Sequence, residues 1–396
     1  MNLVLPLLPS GQQLLFVAFL MFKFFGFLPF PFDCYTLALK PSSTVKTLLH
    51  LPIPQTFSFL TLHWVILSNR GIIFYSVLAI LNLNDIIKYG SLMMAIFVIL
   101  LDIGLQRKSQ QLVWEKLSQA EGTTRKTCVK RFVRRYVLKF YGYLAFSTCI
   151  DAQILYLASD SPPELTYWLV IFAIHTFLRL RHLFHMFFID MLKVQLQQLH
   201  HGLVEIRDYI HELHAQPRNS VPHRKMFQRA VDRLLELKRS YGELWDLCDC
   251  INRTFGWSQI CNFTCNFVQL SCDLYWLYVT VKVFKIAGWQ EMMITLLPTS
   301  SIIVLLLSSA ESCQRVASSL QSALLDIPLE NDSTTLRKII YRFGLQIAQQ
   351  QMRLTAHGLF EINYSLLKMF GTGIITYMII FITFSKEIKV QDSEEI

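Results

Sequence analysis

Charge is what this chain has little of. Asp, Glu, Lys and Arg make up 16% of its 396 residues, where a soluble domain carries about 25%, so ordinary globular folding in water is the wrong starting point. Catalytic constellations are missing as well: there is no Gly-rich phosphate loop, no zinc-protease helix and no Ser, His and Asp set in a nucleophile context. An enzyme is therefore not expected. The nine cysteines do not make a metal module, because Cys248/Cys250 and Cys261/Cys265 lack the flanks and the paired second half that a zinc site needs. His182 and His185, His200 and His201, and His211 and His214 are close in sequence without a matching ligand set elsewhere. No metal and no cofactor is expected, and the cysteines read as small buried side chains.

What is abundant is long apolar sequence. Hydrophobic residues are 53% of the chain, and a bilayer span needs about 20 mostly apolar residues. Such stretches fall at 57–81, 86–105, 137–158, 165–189, 257–284, 292–310 and 362–385. The expected fold class is all-α, a membrane protein with seven transmembrane helices. The start, Leu14 to Phe32, is apolar too, but Lys23, Gly26, Pro29 and Pro31 interrupt it. It reads as a short membrane-dipping or interfacial segment, with an eighth span as the alternative.

Basic residues orient the spans. Nine Lys and Arg lie between Arg107 and Arg135, ten more between Lys193 and Arg253, and five between Arg315 and Arg353, whereas the turns at 82–85, 159–164 and 286–291 contain none. Cytoplasmic loops collect Lys and Arg, so the even-numbered connections are expected inside, the amino terminus inside and the carboxyl terminus outside. A G-protein-coupled receptor has the reverse arrangement, which argues against a metabotropic seven-helix receptor. A secondary transporter, the other alternative, would show two related halves with broken helices at matching positions. No such repeat is evident. The net charge of +9 reads as topology, and no nucleic-acid partner is expected.

The organisation that follows is a cytoplasmic or re-entrant amino-terminal segment over 1–56 and transmembrane helices 1 to 6 over 57–310, with basic cytoplasmic loops at 106–136 and 190–256. Cytoplasmic anchor helices occupy 311–361, helix 7 occupies 362–385, and an extracellular acidic tail covers 386–396. The fourth span continues through Leu192, Leu196, Leu199, Leu203, Ile206, Ile210 and Leu213, at alternating steps of four and three. That is a coiled-coil seam. Matching stripes run through Phe227, Val231, Leu234, Tyr241, Trp245 and Cys248, and through Leu336, Ile340, Phe343, Ile347 and Leu354. Packing within one subunit and joining of several subunits would bury the same stripe.

Ionisable side chains inside spans are costly and tend to face cavities, which singles out Asp151, His175 and Asp273. Counted from the inferred outer ends they lie roughly 10, 15 and 17 Å deep, and Tyr156, Tyr275, Trp276 and Tyr278 are placed around them. Aromatic walls with a few polar anchors suit a small-molecule pocket. The bland alternative is an interfacial aromatic belt, with Asp151 or Asp273 paired to His175. In the last span Thr372, Thr376 and Thr383 fall near one face, with Ile379 or Ile380 between them. Hydroxyls can hydrate a passing ion and a ring of aliphatic side chains can close a pore. Hydroxyls bonded back to their own helix would give the same spacing.

The carboxyl-terminal part reads Thr355-Ala-His-Gly-Leu-Phe-Glu-Ile-Asn363, then TYMIIFITF from Thr376 to Phe384. This resembles the signature of insect gustatory receptors at Gly358, Phe360, Thr376, Tyr377 and Phe384, and departs from it at Thr383, where the family usually has Gln. The Phe25 to Pro29 run is similar to the family's opening segment. The resemblance implies a ligand-gated, non-selective cation channel in the plasma membrane of gustatory receptor neurons. It would be a homotetramer, or a heterotetramer with other gustatory receptors, opened by a small-molecule tastant, with Thr372, Thr376, Ile380, Thr383 and Phe384 as pore and gate. Met378 stands where sugar-sensing members often carry an acidic residue, which points to the bitter-sensing type.

Overall fold

A computed structural model describes residues 9–34, 38–39, 55–56, 59–60, 79–121, 126–160, 162–214, 221–284, 289–328 and 334–394. The chain is helical almost throughout. Helix α1 is Pro9–Phe24, followed by a two-residue antiparallel pairing of β1 (Phe32–Asp33) with β2 (Ala38–Leu39). Then come α2 (Ala79–Leu105), α3 (Arg107–Glu121), α4 (Lys126–Leu157), α5 (Pro162–His214) and α6 (Val221–Val279). A π-helical turn at Thr280–Phe284 closes α6, and α7 (Trp289–Leu325), α8 (Thr334–Gln349), a β3–β4 hairpin (Thr355–Ala356 and Phe360–Glu361) and α9 (Ser365–Glu394) complete the chain. The expected span at 57–81 lies largely outside the described residues. The other six coincide, to within a few residues, with parts of α2, α4, α5, α6 with its π-helical turn, α7 and α9.

By length and apolarity alone, among the described residues only Leu83–Leu105, Met293–Leu325 and Ser365–Thr383 qualify as spans. Helices α4, α5 and α6 miss that standard because they carry charges inside, among them Asp151, Arg179, Arg181 and Asp273. Each of these charges meets an opposite one on a neighbouring helix, which lowers the cost of holding it away from water.

Helix α1 ends where its sequence says it must. Gly26 takes a positive φ of 78°, its N–H bonds to Lys23 O, and Phe27 N–H reaches back to Phe22 O. This is a Schellman cap, for which glycine is the favoured residue. The chain beyond it runs inward, so Phe27, Leu28, Phe30 and Phe32 are buried with Phe19 and Phe22 of α1. Phe19 meets Trp114 of α3 at 5.7 Å and Phe187 of α5 at 5.0 Å. The segment is thus part of the core.

Helices α5 and α6, 53 and 59 residues long, would extend about 80 to 90 Å at 1.5 Å per residue, far beyond a hydrocarbon core of about 30 Å. Their excess length packs with α7 and α8 in one helical bundle. The seven residues of the α5 seam are buried, as are Val231, Leu234, Tyr241 and Cys248 of α6 and Leu336, Ile340, Phe343 and Ile347 of α8. Tyr241 and Phe343 meet edge-on at 5.9 Å. The stripes are buried inside a single chain, where α5 and α8 each pack against α6 and α7.

Between α8 and α9 the chain is clamped to α6. Asn252 donates to Arg353 O at 2.8 Å and accepts from Thr355 N–H at 3.0 Å, while Tyr241 donates its hydroxyl proton to Gln350 O at 2.7 Å. The hairpin turns through His357 and Gly358, both at positive φ (48° and 74°). Asn363 then caps α9, accepting from Ser365 N–H at 3.0 Å.

Candidate functional site

Three of the sequence-expected residues come together. Asp151 of α4, His175 of α5 and Asp273 of α6 line one narrow cavity, with Lys88, Arg179, Gln269 and Thr295 as further polar walls and Trp168, Phe172, Ile154 and Pro298 as apolar ones. It is closed down to the space of about one water molecule. Trp168 and Phe172 stack at 5.4 Å on one side of it.

Neither carboxylate pairs with His175. Arg179 donates to Asp151 at 2.6 Å, and Lys88 donates to Asp273 at 2.5 Å. Arg179 lies one turn after His175 on α5, so a salt bridge forms between α4 and α5 and a second between α2 and α6. Among the described residues, Asp151 Oδ1 and His175 Nε2 are buried without a hydrogen-bond partner. An acceptor and a ring nitrogen with unmet capacity, in the wall of a cavity, are what a polar ligand group can use.

The aromatic residues do not join this cavity. Tyr156 is 78% exposed. Tyr275 and Tyr278 face the last helix, where Tyr275 meets Phe381 at 5.2 Å, and Trp276 donates its indole N–H to Asp85 at 2.7 Å. These side chains form a separate cluster with Tyr377, Met378, Phe381 and Ile382. Residues on one helical segment alternate between faces, and depth alone does not reveal the face.

Tyr377 of the family motif fastens α9 to the body. Its hydroxyl donates to Asn84 Oδ1 at 2.8 Å and lies 3.4 Å from Cys272 Sγ, while Asn84 donates to Cys272 O at 3.4 Å. Asn84 sits one turn before Lys88 on α2, and Cys272 directly precedes Asp273 on α6. The clamp on α9 and the ion pair at the cavity are thus neighbours on the same two helices.

The opposite side of α9 is bare. In its most apolar stretch only 11% of the residues are buried; Thr372, Thr376 and Thr383 are exposed with Ile375, Ile379 and Ile380. Thr376 donates its hydroxyl proton to Thr372 O at 3.0 Å and Thr383 to Ile379 O at 2.8 Å. Those bonds use the proton and leave oxygen lone pairs for another partner. The side chain of Phe384 lies outside what the structure describes.

Gly358 and Phe360 hold the hairpin. Phe360 meets Phe263 of α6 at 5.8 Å, and the His357 ring lies over Gly256, where an added Cβ would approach it to 2.2 Å. Beneath this joint is a network that residue-by-residue reading missed: Ser258 donates to Asp102 through its N–H at 3.0 Å and through its hydroxyl, and Arg181 donates to Ser258 Oγ at 2.9 Å. The Arg181 guanidinium also lies over the Phe255 ring at 4.5 Å. The signal was present as an Asp and an Arg within two expected spans, at 86–105 and 165–189.

A profile described as 7tm chemosensory receptor matches residues 15–388. Among curated proteins, the Drosophila melanogaster chain bearing the name gustatory receptor 39b is 26% identical over 160 residues, covering 39% of this chain and 43% of that one. Gustatory receptor 23a of the same organism is 24% identical over 238 residues, covering 58% and 62%. The matched stretches thus span about two fifths to three fifths of these relatives. Among solved structures, the olfactory receptor OR5 of Machilis hrabei superposes with a TM-score of 0.62 at 12% identity, covering 94% of this chain and 96% of the other. Its complex with eugenol gives 0.59 at 14% identity, covering 94% and 97%. The fold is therefore that of a solved insect receptor, and with the family profile spanning nearly its whole length, the chain belongs to the insect chemosensory receptors: a multi-pass membrane receptor and not an enzyme.

Proposed function

We propose that this receptor is a tastant-gated, non-selective cation channel of the bitter-sensing type. It works in the plasma membrane of gustatory receptor neurons as a homotetramer or as a heterotetramer with other gustatory receptors. The observation that carries this reading is the bare face of α9. A helix in which hydroxyls alternate with aliphatic side chains, fastened on its other side by Tyr377, suits a wall shared with copies of itself around an ion path. Thr383 is shorter than the family's Gln by an amide group, which makes the outer constriction wider or differently gated, and Phe384 follows it there.

The tastant enters the cavity between α2, α4, α5, α6 and α7 and competes for the two ion pairs. Asp151 Oδ1 and His175 Nε2 supply its polar contacts and Trp168 and Phe172 its stacking surface. Widening the cavity separates Lys88 on α2 from Asp273 on α6, and one turn away the Asn84–Tyr377–Cys272 clamp must follow. That displacement moves α9. The basic connections face the cytoplasm, with the amino terminus inside and the carboxyl terminus outside.

The test is expression alone and with candidate co-receptors, imaged for calcium against a tastant panel and recorded under ion substitution. A reversal potential that shifts with the sodium and potassium gradients supports the channel. Currents that follow a substrate gradient, or that need a second messenger, overturn it.

A further inference from the structure

Between Ser365 and Thr383, helix α9 carries a single charged residue, Lys368. It is exposed, and among the described residues no carboxylate pairs with it. Glu361, the nearest carboxylate before it in sequence, is held instead by Arg353 at 3.0 Å. Neither the α9 clamp nor the family motif uses this side chain.

Position around the helix gives Lys368 its meaning. At 3.6 residues per turn it falls within about 80° of Thr372, Thr376, Ile379 and Thr383, and about 180° from Tyr377. All four of those residues are exposed, and Tyr377 is the residue that fastens the other side of the helix to Asn84. Lys368 therefore continues the bare stripe by one turn toward the start of α9. Charged side chains within spans tend to face cavities and each other more than lipid. About 22 Å of helix separates Lys368 from Thr383, so the cation stands at the opposite end of the path from the outer constriction.

We propose that Lys368 lines the cytoplasmic mouth of the ion path, where its copies form a cationic ring that disfavours divalent ions and makes the current inwardly rectifying. The inference rests on the reading of α9 as a pore wall with its carboxyl end outside. A positive potential of about one kT at the ring thins monovalent cations about threefold and divalent ones by the square of that factor. Calcium thus loses about threefold against sodium, while sodium and potassium are treated alike and still pass. Because the ring sits at the inner mouth, it depletes the cations that would leave the cell and spares those that enter through the outer constriction. Charged rings act on permeation in this way.

The test records excised patches from cells expressing the full chain, alone and with candidate co-receptors, through openings that are spontaneous or evoked by a fixed mixture of quinine, denatonium, caffeine and sucrose. Reversal potentials with sodium on one side and calcium on the other give the permeability ratio, and symmetric sodium gives the rectification. Lys368→Gln should raise the calcium-to-sodium ratio about threefold and straighten the current–voltage relation. Lys368→Glu should raise the ratio further, and Lys368→Arg should keep both properties. In symmetric salt of about 1 M, where charges are screened beyond about 3 Å, the rectification of the unaltered chain should fade, a response that a merely structural lysine would not give. Openings that persist with ratio and rectification unchanged in both Lys368→Gln and Lys368→Glu overturn the ring and leave the channel reading standing. No openings from the unaltered chain under any condition overturns the channel reading, and the ring with it.

Discussion

Asp273 shows how a single residue joins stability to recognition. Its carboxylate neutralises Lys88, and removing one partner of a buried pair costs about 3 to 5 kcal/mol. Asp273→Asn should therefore lower surface expression as well as change agonist sensitivity. Swapping the charges, Lys88→Asp with Asp273→Lys, separates the two effects: surface expression measured by biotinylation should recover, while the dose–response midpoint stays displaced. Recovery of both would make the pair purely structural. Tyr377→Phe removes one hydroxyl from the α9 clamp, a loss of about 1 kcal/mol, and should shift the midpoint without abolishing expression. Asp151, His175 and Asp273 were legible in the sequence because ionisable groups in spans are conspicuous. Their partners were not singled out: Lys88, near the start of its span, has the ordinary reading of a topological signal, and Arg179, near the middle of the span at 165–189, was passed over although it is as conspicuous as His175.

Among the elements, the β3–β4 hairpin depends most on close contact. With the His357 ring over Gly256, Gly256→Ala must push the hairpin off α6, and with it the start of α9. Loss of tastant-evoked current is the expected result, and adding His357→Ala should restore part of it by emptying the space. If the double variant is no better than the single one, the close approach is not the cause. The seam of α5 was legible at residue level because a four–three repeat of Leu and Ile is a strong periodic signal, and all seven residues are buried. Which surface would cover that seam could not be read, since periodicity specifies a stripe and not its partner. The four aromatics drawn toward the pocket failed for a related reason: depth along a helix is countable, but the direction of a side chain around it depends on the neighbours.

For the molecule as a whole, the exposed face of α9 is the surface that the proposed function assigns to the ion path. Thr376→Cys, placed on that face, should make tastant-evoked currents sensitive to a charged thiol reagent applied from outside, while the same change at Tyr377, on the opposite face, should not. Equal sensitivity at both positions would remove α9 from the ion path. The turn that runs from Asn84 to Lys88 has a wider consequence. One end holds the cavity's ion pair and the other holds α9, the proposed pore helix, so a substitution that tunes the midpoint of the dose–response curve should also alter the maximal response. Diversification of taste in such a receptor is then constrained: new ligands are reached more freely from the α4 and α5 walls, at Asp151 or Trp168, than from the α2 wall, where every gain in affinity is paired with a change in efficacy.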